Sequence, residues 1–70
     1  MNRFHFEVAG AVRDGASLTT EYVVHATNDK EGQQLARLRY AQEFPEYLPV
    51  RYVAWTGYEK GDGKEEGAAA

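Results

Sequence analysis

A chain of 70 residues makes one small domain, and with no cysteine it can hold neither a disulfide nor a thiolate metal site, which suits a reducing cytoplasm. Its net charge is −3; residues 59–66 hold four acids against two lysines, while residues 1–58 hold seven acids against six bases, a poor electrostatic footprint for a nucleic-acid binder. No apolar run approaches the roughly 18 residues of a membrane span and no signal peptide is evident, so a soluble, cytoplasmic protein without a membrane partner is expected. Five Tyr, three Phe and one Trp supply a core, although one this small yields only about 3–5 kcal/mol of net stability.

Residues 3–12, RFHFEVAGAV, alternate. Phe4, Phe6, Val8 and Val12 form one side of a strand, and Arg3, His5, Glu7 and Ala9 form the other. Asp14-Gly15 signals a turn. Residues 18–26, LTTEYVVHA, return as a second strand with Leu18, Tyr22, Val24 and Ala26 on one side. A bulge-free two-residue turn would pair residues whose numbers sum to about 29, and this sets Val8 against Glu21, mixing the faces. A sum of about 28 or 30 restores the faces, but 28 opposes Glu7 to Glu21, an unfavourable like-charge pair. The expected register is therefore 30, with Val12 beside Leu18 and His5 directly across from His25.

Residues 29–44 predict a helix. Asn28 is its N-cap, Glu31 can answer the cap, Asp29 suits the positive end of the helix dipole, and Pro45 stops it. Its apolar side is ambiguous: Leu35, Leu38 and Ala41 form one stripe, and Ala36, Tyr40 and Phe44 another. Residues 45–49 link to a third strand, 50–58, after which 59–70 reads as a disordered tail rich in glycine and acid. The third strand can join beside the first, antiparallel, or beside the second, parallel. The former is favoured because antiparallel pairs are commoner. The expected fold is α+β, a two-layer β-β-α-β domain over residues 1–58, with a mainly antiparallel sheet in the order 2-1-3 and the helix on one face.

The other face is then open. Val53 and Trp55 are expected to turn toward the helix, because a small core needs the bulk of the indole. Tyr52 and Tyr58 then join His5, Glu7, Val23 and His25 on the open face, which is the expected partner-binding surface, Tyr being enriched at interfaces. Two facing histidines near Glu7 are a possible metal-ligand set, but they lack a second shell or a pocket, so no metal is expected; a pH-sensitive pair of imidazoles is the better reading. The outer strands also offer free edges for a homodimer or a partner strand.

Nucleotide-binding, hydrolase and metalloprotease motifs are missing, so neither an enzyme nor a cofactor is expected. Arg3, Arg13, Arg37, Arg39 and Arg51 with Tyr52 or Tyr58 are a weaker case for nucleic-acid binding, given the near-neutral body.

The succession FHFEVAGAV…LTTEYVVHA, TNDKEGQQLARLRYAQEF and VRYVAWTGYEKGDGK resembles small phage-encoded inhibitors of the anti-CRISPR type, over residues 3–58 and in organisation alone. The resemblance implies non-catalytic inhibition by occluding a surface of a bacterial effector complex, and it carries over no site residues. The leading expectation is a protein-binding module of this kind; the alternatives are a homodimeric accessory subunit and a nucleic-acid-binding domain.

Overall fold

A computed structural model describes residues 2–60. Strands β1 (Asn2–Ala9) and β2 (Thr19–Ala26) form a hairpin, helix α1 (Asp29–Glu43) follows, and a short 3-10 turn (Pro45–Tyr47) leads into β3 (Tyr52–Glu59). The sheet order is β2-β1-β3, antiparallel throughout, and the helix lies on one face. This is the expected small α+β fold. β3 includes Glu59, which was expected in the tail; of the rest of that tail Lys60 is described and exposed, and 61–70 lie outside the described residues.

The hairpin register differs from expectation. Partners sum to 28: Phe4 pairs with Val24, Phe6 with Tyr22, and Glu7 with Glu21. His5 therefore faces Val23, and His25 faces Arg3, so the histidine pair is not formed. The reason lies at the turn. Asp14 and Gly15 both have positive φ (52° and 79°), and Arg13 and Ala16 exchange backbone bonds around them as in a two-residue hairpin. Next along, Gly10 N–H donates to Leu18 O, so Ala11 and Val12 oppose Ser17 alone. Ala11 has left the ladder to donate to Tyr47 O at 2.6 Å, and Arg13 Nη2 donates to Leu48 O at 2.5 Å. The link after the helix thus pulls one residue out of the hairpin and sets its register. Val12, expected beside Leu18 in the core, is left exposed in this loop.

Asn28 Oδ1 accepts from Glu31 N–H at 2.8 Å, and the Glu31 carboxylate reaches back to Thr27 N–H at 2.9 Å, which closes the first turn of α1. The helix lays its small-residue side on the sheet: Gly32, Ala36 and Tyr40 are buried, whereas Leu35 and Leu38 are exposed. Close approach explains the choice. A Cβ on Gly32 would stand 2.9 Å from Phe6 Cε2 and 3.3 Å from Val24 Cγ2. Along the same line Tyr40 donates its hydroxyl to Leu18 O at 2.7 Å. The core is Phe4, Phe6, Val8, Tyr22, Val24 and Ala26 of the hairpin against Ala36 and Tyr40, closed at one end by Phe44, Tyr47, Leu48, Val50 and Val53.

Candidate functional site: the exposed surface of β3

β3 is an edge strand, and its face changes partway. Val53 pairs with Val8 and Trp55 with Phe6, so both turn to the helix side as expected. A bulge at Thr56 follows, after which Gly57 pairs with His5 and Tyr58 with Phe4. The extra residue carries Tyr58 to the helix side as well, so Tyr58 is not on the open face where it was expected. Gly57 suits its place, since a Cβ there would press on His5 Cγ at 3.3 Å. Trp55 Nε1 donates to Gly57 O at 2.7 Å and fixes the indole over the bulge.

Trp55 and Tyr58 do not enter the core. Their rings lie 5.7 and 5.0 Å from the ring of Phe4, which they help to bury, yet they remain 54% and 48% exposed. The other contacts of α1 explain this. Gly32 meets Phe6 and Val24, Arg39 stacks over the Tyr22 ring at 5.0 Å, and Glu43 accepts from Tyr22 OH at 2.8 Å. All of these partners belong to β1 and β2. A helix about 10 Å across covers about two strands spaced about 4.8 Å apart, so the distal part of the third stays bare.

Of the residues expected to form one contact surface, His5, Glu7, Val23, His25 and Tyr52 share the face away from the helix. Arg3, expected on the same side as His5, lies there too, and Glu21, Thr56 and Glu59 complete this face. Its acids are engaged. Tyr52 OH donates to Glu7 Oε2 at 2.6 Å and Thr56 Oγ1 to Glu21 Oε2 at 3.1 Å, so a hydroxyl from β3 meets each of the two opposed carboxylates. Glu59 accepts from Arg3 Nη2 at 2.5 Å and lies 2.9 Å from His5 Nε2. The His5 hydrogen bond, then the Arg3 charge, holds the Glu59 carboxyl below its ordinary range. The bond to Glu7 raises the Tyr52 phenol. Among the described residues no three His, Cys, Asp or Glu side chains come together as a metal would require.

Gly57 was the missed signal: a lone glycine inside a strand pattern marks a bulge. No helix among the described residues is long and apolar enough to cross a membrane. Comparison with protein-family models, with curated proteins and with solved structures finds no match to this chain.

Proposed function

We propose that this protein is a small non-catalytic protein-binding module whose contact surface centres on β3. The observation that carries this reading is the concentration of exposed aromatic side chains, Tyr52, Trp55 and Tyr58, on a single edge strand. Large rings held in place by their neighbours are the residues that dominate protein interfaces. The engagement of Glu7, Glu21 and Glu59 in internal hydrogen bonds favours binding over acid–base work by these groups. In its finer form, following the resemblance noted above, binding occludes a surface of a bacterial effector complex and inhibits it.

The test begins with capture from bacterial lysate and identification by mass spectrometry. Each captured protein is then purified and titrated against the wild type and the double variant Tyr52→Lys/Tyr58→Glu. Direct binding that weakens at least about tenfold in a variant with a native circular dichroism spectrum supports the reading. Undiminished binding, or no direct protein ligand, overturns it. Sedimentation of the free protein tests self-association through the same strand, and loss of the captured effector's activity on titration tests inhibition.

A further inference from the structure

We propose that the helix side of β3 binds an acidic, extended peptide, which adds as a strand to the free edge of β3 and seats apolar side chains on Trp55 and Tyr58. This rests on the protein-binding reading above and supplies its partner class. The floor of the site is already ordered. Trp55 and Tyr58 meet edge to face at 6.3 Å and 88°, both rest on Phe4, and the indole is tied to Gly57 O. Rings held this way lose little freedom when a ligand arrives.

The wall is backbone. Among the described residues, sheet order β2-β1-β3 leaves one side of β3 unpaired, so alternate N–H and C=O groups from Tyr52 to Glu59 face outward. An extended peptide can satisfy such a ladder; a nucleic acid has no matching series of groups.

Charge selects the peptide. Gly32, Ala36 and Tyr40 define the sheet-facing line of α1, and Arg39 over Tyr22 identifies the flank that looks toward β2. At about 100° per residue, Lys30, Gln33 and Arg37 fall on the opposite flank, toward β3. Gln33 is half-buried while Leu35, on the β2 flank, is exposed, in keeping with that orientation. Lys60 follows β3 directly. None of Lys30, Arg37 and Lys60 has an ion-pair partner among the described residues, and Glu59, at the same end, is turned to the other face by Arg3 and His5. Asp29 and Glu31 are the acids in the first turn of α1, and the Glu31 carboxylate is engaged by Thr27 N–H. A strip flanked by Lys30 and Arg37, with Lys60 next along the chain, complements an anionic strand. In a second copy of this chain paired edge to edge about a two-fold axis, Arg37 near the middle of the strip would approach its own counterpart, which disfavours self-pairing here.

The single tryptophan is the reporter. The full chain is titrated with a short peptide alternating Glu with Val and Phe. Comparison probes are the same peptide with Lys for Glu, the same with a central proline, and an oligothymidylate. The expected result is a saturable change in Trp55 fluorescence with the acidic peptide alone, weakened about tenfold by Arg37→Glu and by raised salt. Leu38→Glu, on the outward side of the helix, leaves it unchanged. Arg37 and Leu38 are exposed, so both variants keep the fold. An equal response to the lysine or proline peptide, a response to the oligonucleotide instead, or no saturable response overturns the inference. So does self-association that shields Trp55. Should a captured protein ligand bind Arg37→Glu normally but lose affinity for Tyr52→Lys, the contact lies on the open face of β3: the inference fails and the protein-binding reading stands.

Discussion

Glu7 and Glu21 face each other across β1 and β2, a pairing that like-charge repulsion argues against. It is tolerated because each carboxylate receives a hydroxyl from β3. Glu7→Gln should therefore bring the Tyr52 phenol down toward its ordinary value, read by NMR titration. Tyr22 gives a sharper test. Burial first, then the hydrogen bond to Glu43, pushes its phenol up to about 12. A raised folded-state value means that the stabilisation is present in full below the unfolded value of 10.0 and disappears as pH rises toward about 12. Urea midpoints should fall across that window in the wild type, and in Tyr22→Phe this component of the fall should vanish. Glu59 runs the opposite way: its lowered carboxyl contributes above the ordinary carboxylate range and is lost as pH falls through its own. His5→Ala and Arg3→Ala should each raise its carbon-13 titration midpoint. At this scale the sequence is only partly legible. The alternation of Phe4, Phe6 and Val8 places side chains on the correct faces, but which residue meets which across the hairpin depends on Tyr47 and Leu48, far along the chain.

For the elements, helix limits were readable from Asn28 and Pro45, because caps and proline act locally. The buried stripe was not, since either set of apolar residues satisfies the periodicity. What decides it is distance: Gly32 and Ala36 let the backbone settle onto Phe6 and Val24, and leucines on that line would hold it off. Gly32→Val should destabilise by about 2–3 kcal/mol in urea denaturation despite better helix propensity, because the added carbons have nowhere to go. Leu38→Lys, at a position 54% exposed, should change stability by less than about 0.5 kcal/mol. Equal costs for the two would show that the other stripe faces the sheet. In β3, alternation puts Trp55 on the correct side and Tyr58 on the wrong one, because a strict period of two cannot pass a bulge.

Across the whole molecule, layering and strand order were legible, since a hairpin, one helix and a further strand have few ways to pack. The bare aromatic strip follows from widths, not from any residue pattern. Amide exchange should accordingly be slowest in β1, paired on both sides, and faster along β3 beyond the bulge. The joint at Ala11 has a last consequence. Excised from the rest, residues 2–27 keep the Asp14-Gly15 turn but lose Tyr47 as an acceptor for the displaced amide. The plain continuation of that turn brings Val8 opposite Glu21 and spoils the oily side of the ribbon. Neither severed half should hold its shape in solution, and mixing the two should restore both, as expected of a single indivisible unit in which a later-made segment corrects the first.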